Sequence, residues 1–451
     1  MKTLITSVLD NESLVLRGDY LRDALLMREY AAYAALILMV LPSLRELRLA
    51  DFNCASLDHL HTILHNLNPG SDWNRRHASD PLLQRISSIS AVSFNVDDSS
   101  GVAYPRWIGR FSLEPLLNLS SVKELSFSIP DGHERRILAG AVPPFTSKVT
   151  IRPEQMMNIT SIVIRHSDSA FITLESLLRA ATQLRSLTYD FFYDCKERED
   201  VPARWLDLSL LNEILPKSLQ TLVMGVENCN TTAYPFKQPR FGEKLYGYLD
   251  LTGFANLHTL EVPFPFLTGD ADFSITTEIY PLLPPNLQHL SLRTDMSLAQ
   301  HQFPFDTSLL SSGLTFQESE DEARHLLNAR MDVSYMFHAA MMILDFTTTL
   351  ETISVWQPAD ASLSFFEGQV TDFAQTCRNK SIKGHLLYPM LLRWKKAEHW
   401  NLIKETTVHD PQHTASKYYE VFHRGQRAGI PLGLAAQYHL HALRSRQVRI
   451  R

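Results

Sequence analysis

One short pattern recurs nine times along this 451-residue chain and limits what it can fold into. The pattern is an apolar residue, two variable residues, a second apolar residue, one variable residue and a third apolar residue. Its clearest copy is LPSLRELRL, with Leu44, Leu47 and Leu49. The others are Ile89/Val92/Phe94, Val122/Leu125/Phe127, Ile159/Ile162/Ile164, Leu184/Leu187/Tyr189, Leu219/Leu222/Met224, Leu257/Leu260/Val262, Leu287/Leu290/Leu292 and Leu350/Ile353/Val355. The second and third anchors are two residues apart, which puts them on one face of a strand. The first anchor turns in from the preceding loop. Such a strand buries one face and pairs with the next copy as a parallel neighbour, so stacked copies share one core.

First anchors follow one another at 25 to 63 residues, longer and less regular than standard leucine-rich repeats. The surroundings of the copies recur as well. Leu41-Pro42, Leu215-Pro216 and Leu283-Pro284 lead into copies, and several copies follow a stretch with helical spacing. Asp19 is placed to cap a helix from about Tyr20 to Val40, with Leu21, Leu25, Leu36, Ile37 and Val40 as its stripe. Phe171 to Ala181 reads as a short helix. Ser319 and Glu322 form a capping box ahead of a helix running to about Leu344. The expected fold class is α/β: a leucine-rich-repeat-like solenoid (horseshoe), with parallel strands on the concave face and helices or loops outside. Residues 1–41 form a helical lead-in, 42–360 the irregular solenoid, and 361–451 a helical, basic C-terminal cap.

That cap is expected to hold helices over Pro389 to Glu405, Thr414 to Arg427 and Leu432 to Arg444. From residue 391 onward there are eleven Lys/Arg against four Asp/Glu. The segment closes the open end of the solenoid, is a solvated tail, or contacts an acidic partner.

The chain as a whole carries −6, which argues against a nucleic-acid binder. Four widely spaced cysteines exclude a disulfide scaffold. The N-terminal apolar run stops at Asp10 and Glu12, too short for a secretory signal. The longest apolar run, Tyr30 to Leu41, is too short to span a membrane. A cytoplasmic or nuclear protein is expected.

The rhythm of LILMVLPSLRELRL, LPKSLQTLVM and LPPNLQHLSL resembles filamentous-fungal proteins of the F-box/leucine-rich-repeat type, over roughly residues 20 to 360. The resemblance implies a protein-recognition scaffold whose repeats hold a substrate. An F-box docks such proteins on the adaptor of a cullin ubiquitin ligase. Here Leu41-Pro42 leads into a strand and not into the helices an F-box needs. That leaves the adaptor as a partner only where an F-box is encoded upstream.

Strand alternation names the residues of the concave face. They include Glu46, Arg48, Glu124, Arg165, Asp190, Glu261, His289, Arg293 and Trp356, interleaved with small hydroxyl residues such as Ser126, Ser161, Thr188, Thr221, Thr259, Ser291, Thr352 and Ser354. Scattered charges among hydroxyls suit a protein or peptide better than a phosphate backbone. Arg293 and Trp356 are the expected anchors, since both residue types are enriched at binding hot spots. The alternative for Trp356 is packing under the C-terminal helices.

Motifs for catalysis and cofactors are lacking: no nucleophile elbow, phosphate loop, dinucleotide turn or His-Glu-x-x-His. His59/His61 and His439/His441 fall in helical patterns, where such spacing faces apart. Asp270/Asp272 and Glu197/Glu199/Asp200 read as solvated loops, and the YDFFYD run from Tyr189 as core packing or a loop plug. No metal and no cofactor is called for. A non-catalytic scaffold is the expectation, with an unrecognised hydrolase or transferase as the alternative.

Overall fold

A computed structural model describes residues 23–29, 32–33, 37, 41, 43–50, 88–95, 119–127, 156–167, 171–194, 206–229, 245–270, 279–296, 316–357, 368–394, 398–412 and 420–424. The protein is of the α/β class, with mostly parallel strands. All nine triplets lie where the strand reading puts them. Their second and third anchors fall in β1 (Glu46–Ala50), β2 (Ala91–Asn95), β3 (Glu124–Phe127), β4 (Ser161–Ser167), β5 (Ser186–Asp194), β7 (Thr221–Cys229), β9 (Thr259–Pro263), β10 (His289–Arg293) and β11 (Thr352–Trp356). Two short strands, β6 (Leu206–Asp207) and β8 (Leu245–Tyr246), pair separately.

The chain divides into two compact units. In the first, β1 to β4 pair in order as parallel neighbours. Leu47 faces Val92, Val92 faces Leu125, and Leu125 faces Ile162. In the second, β5, β7, β9, β10 and β11 pair in the same way, so Leu187, Leu222, Leu260, Leu290 and Ile353 form one row. Wherever their side chains are described, the second and third anchors are buried. First anchors are buried too, apart from the half-buried Leu44.

Backbone hydrogen bonds repeat with the side chains. One carbonyl per copy accepts two N–H groups from the next copy. Arg45, Ser90 and Lys123 do so in the first unit, and Arg185, Gln220, His258 and Gln288 in the second. The first anchor enters through a tight turn, its N–H bonded to the carbonyl three residues back, as in Leu219 to Pro216 and Leu287 to Pro284. Proline at these lead-ins presets the turn. Asn286 extends this repetition by donating to the carbonyl of Ala255 in the preceding lead-in, at 2.8 Å.

Among the described residues, helices lie in several of the connections. They are α1 (Phe171–Ala180), α2 (Leu208–Ile214), α3 (Phe264–Thr268), α4 (Phe316–Phe346) and α5 (Gln369–Lys380). In α4, Val333, Met336, Phe337, Ala340, Ile343 and Leu344 form the buried stripe. Phe337 meets Phe373 of α5 edge-on, with ring centroids 5.6 Å apart.

Several expectations need correction. The helix expected over Tyr20 to Val40 is broken at residues 27–29, where Arg28 adopts φ 61. Ile37, assigned to its buried stripe, is exposed. Helix α4 begins at Phe316, which places Ser319 inside the first turns and not at a cap. Among the described residues the C-terminal segment holds helix α5 followed by strands where helices are expected. Pro389 to Glu405 falls in two strands, β12 (Lys383–Trp394) and β13 (Glu398–His409), and the reading of 414–427 meets a third, β14 (Glu420–Arg424). Strand β12 continues the parallel series beside β11. Strands β13 and β14 are antiparallel. Among the described residues β12 is paired on one side only from Tyr388 onward, where a proline such as Pro389 is tolerated. The helix expected over Leu432 to Arg444 lies outside the described residues, as do His59, His61, Glu197, Glu199, Asp200, Asp272, His439 and His441.

Leu222 is fully buried between Leu187 and Leu260. Leu222→Ala is expected to cost about 2–5 kcal/mol in urea unfolding of the full chain. Leu222→Asp is expected to leave no cooperative transition, because it buries an unpaired charge.

Candidate functional site

Alternation sends the anchors to one face of the second unit's sheet and the residues between them to the other. The parallel register sorts the latter into three rows. The first is Ser186, Thr221, Thr259, His289, Thr352 and Lys383; it is half-buried to exposed. The second is Thr188, Val223, Glu261, Ser291, Ser354 and His385. The third includes Asp190, Arg293, Trp356 and Leu387, all buried.

The third row overturns the expectation that Arg293 and Trp356 stand exposed as binding anchors. Arg293 is 0% exposed and Trp356 2%. The guanidinium forks onto Asp295, Nε to Oδ2 at 2.9 Å and Nη2 to Oδ1 at 3.1 Å, while Nη1 donates to Glu261 Oε1 at 2.7 Å. Asp295 Oδ2 also accepts the Val226 N–H. The Trp356 ring lies under the guanidinium, its centroid 4.6 Å from Cζ. Trp356 Nε1 donates to Ser291 Oγ at 2.9 Å. Burial works against the charge of Arg293, but the attraction of Asp295, Glu261 and Asp190 outweighs it and holds the group protonated. Burial pushes the Asp295 carboxyl up, against the pull of Arg293. Asp190 and Glu261, also expected on an open face, are 7% exposed. A carboxylate or guanidinium is held so deep only when paired, and these residues bury one another.

The second row floors a cleft of about 390 Å3. Its lining includes Thr188, Thr259, Glu261, His289, Ser291, Thr352, Ser354, His385 and Glu405. His289 Nδ1 lies 2.6 Å from Thr352 Oγ1 at the open side. His385 Nδ1 lies 2.8 Å from Glu405 Oε1 and 3.2 Å from Thr407 Oγ1. The backbone sets that pair. Register shifts between Gly384 and His385, so that Gly384 faces His409 and His385 faces Thr407. A bulge of this kind re-aims side chains. At Gly384 an added Cβ would stand 2.7 Å from Cys377 Sγ on α5 and 3.1 Å from Val408 Cγ2. Glycine therefore lets the helix close on the strand beside His385.

Of the remaining sequence candidates, Glu46 and Arg48 are exposed and pair with each other at 2.6 Å, and Glu124 is exposed. These three lie in the first unit, as does Arg165, whose side chain is outside the described residues. His385 and Glu405 were missed. Their repeat lacks the apolar second anchor, its place taken by Gly384, and the segment after it resembles an amphipathic helix. The Thr406-Thr407-Val408 run of β-branched residues was the available signal for a strand.

No group of three or more His, Cys, Asp or Glu able to hold a metal occurs among the described residues. No described helix is long and apolar enough to cross a membrane. No family model matches the chain, and no curated protein matches its sequence.

Arg293→Ala is expected to destabilise the protein by about 3–5 kcal/mol in chemical denaturation, because Glu261 and Asp295 lose their buried partner. This reverses the outcome a surface arginine would give. Gly384→Ala is expected to cost about 1–3 kcal/mol, visible as a lowered Tm.

Proposed function

We propose that the protein is a non-catalytic recognition scaffold of the leucine-rich-repeat-like solenoid type, binding a polypeptide along the strand face of its second unit. One observation carries this reading. The cleft floor presents polar groups on β5, β9, β10, β11 and β12, and many of them are uncommitted. Among the described residues Thr188, Thr259 and Ser354 make no side-chain hydrogen bond, and His385 has a partner only at Nδ1. A row of hydroxyls on a rigid floor suits an extended backbone and the polar side chains beside it. The resemblance to F-box/leucine-rich-repeat proteins supports the same assignment, since the repeats of those proteins hold a substrate. In that version the chain is a relative of ubiquitin-ligase substrate receptors.

The rival is a hydrolase. Ser354 sits beside His385 in register, and His385 pairs with Glu405. That sequence of side chains has the order of a nucleophile, a base and an orienting acid. No hydrogen bond joins Ser354 to His385 among the described residues. Recognition is therefore the stronger reading.

Affinity capture with the purified full chain tests it. Ser354 is half-buried on the cleft floor and outside the core, so Ser354→Trp is expected to fill the cleft while leaving Tm within about 2 °C of the parent. A discrete polypeptide retained by the parent and lost by that variant is the expected result. Equal capture by both would sink the assignment to this cleft. Co-purification of a cullin adaptor tests the ligase connection separately, and its absence would leave recognition standing.

A further inference from the structure

The cleft has a sign as well as a shape. Behind its floor three carboxylates, Asp190, Glu261 and Asp295, surround one guanidinium, Arg293. Glu405 adds a fourth acid at the far end, against the imidazole of His385. The nearest other cation of these rows, Lys383, is bound to Asp410 at 3.4 Å. Even with one acid of the buried group protonated, acids outnumber the guanidinium beneath the floor.

Two side chains turn this excess into a seat. Glu261 has a side chain only 10% exposed, and Arg293 occupies one of its oxygens, Oε1. Oε2 has no hydrogen-bond partner among the described residues, although Glu261 lines the cleft. That oxygen opens to the cleft, where water or a ligand can supply the donor it lacks. At the other end His385, its side chain 6% exposed, commits Nδ1 to Glu405 and leaves Nε2 without a partner among the described residues. Between the two lie Ser291 and Ser354. Glu261 and His385 are three strands apart, about 14 Å at the usual strand spacing, which an extended peptide covers in about four residues.

We propose that this cleft takes an extended polypeptide segment bearing a basic residue, whose ammonium or guanidinium sits on Glu261 Oε2 while His385 Nε2 hydrogen-bonds the segment about four residues away. The proposal rests on the recognition reading above and adds the chemistry of the partner. Arginine or lysine fits because a cation gains the attraction of the whole acidic group, partly shielded from water. An acidic segment meets repulsion from that group, and an apolar one leaves Glu261 Oε2 and the hydroxyls unsatisfied as it displaces their water.

The experiment screens the full chain against fluorescent hexapeptide pools, each with one position fixed in turn and the others mixed. Arginine and lysine are tested beside their uncharged counterparts citrulline and norleucine, and beside glutamate and leucine. The expected result is that pools fixed as arginine or lysine bind at least tenfold tighter than the citrulline and norleucine pools at one position. Ser354→Trp is expected to abolish that binding. Glu261→Gln, which keeps the shape and a hydrogen-bond acceptor for Arg293, is expected to weaken it about tenfold in protein that still unfolds cooperatively. If Glu261→Gln does not fold, the citrulline comparison and Ser354→Trp still decide. Preference for an uncharged or acidic pool, lost in Ser354→Trp, would overturn the cation seat and leave peptide recognition intact. Undiminished binding by a folded Glu261→Gln protein would equally remove the seat from Glu261. Failure of every pool to bind above background would bring down both readings.

Discussion

Parallel pairing in strict register is the constraint on which everything else in this protein depends. A strand two residues out of step would still bury apolar side chains, but it would break the repeated carbonyl that accepts two N–H groups from the next copy. The tight turn before each strand and the shared carbonyl fix where every strand begins. The anchors then align without choice, and so do the residues between them. The polar rows are the other face of the same register. A site made in this way needs no special loop: its geometry is set by the core that lies behind it.

The three rows differ in depth because of ionic and aromatic contacts made at the C-terminal ends of the strands. Arg293, at the end of β10, is held by Asp295 just beyond the strand and by Glu261 on the neighbouring strand. The Trp356 ring stacks beneath it and reaches back to Ser291. Burying four charged groups costs desolvation that their mutual attraction only partly offsets, and apolar residues of the same volume would serve stability at least as well. What the ionic cluster adds is orientation. It ties Glu261 through one oxygen and Ser291 through the indole, so two residues of the cleft floor are bonded to groups that are themselves fully buried.

The strand series was legible in the sequence because its signal is redundant. Each triplet alone is weak, but nine of them with recurring turns specify both the strands and their faces. Depth along a strand was not legible. Arg48 and Glu261 occupy equivalent places in their triplets, yet one is exposed and the other closed over by Arg293. That difference comes from a pairing between residues 32 positions apart, which no local pattern encodes. The C-terminal strands were hidden for another reason. Gly384 replaces the apolar anchor because Cys377 of α5 fills the space a side chain would take. Past that point Pro389 and the basic run after Trp394 imitate the start of an amphipathic helix, and pairing with β13 overrides local preference.

The same break in the pattern explains where the cleft falls. Where copies repeat, the second row is mostly small and uncharged, as at Thr188, Val223, Ser291 and Ser354, and such a row offers no end to a ligand. At β12 the series changes from parallel to antiparallel pairing, and the bulge beside Gly384 tilts an imidazole and a carboxylate against the row. At β9 the buried arginine brings another carboxylate up to it. Two departures from the repeat, three strands apart, thus bound a stretch whose middle follows the repeat. Hydroxyl groups between these ends can bond a backbone of any sequence, whereas the ends distinguish charge. On the proposed reading, selectivity in such a cleft resides in the residues that break the repeat, and affinity in those that keep it.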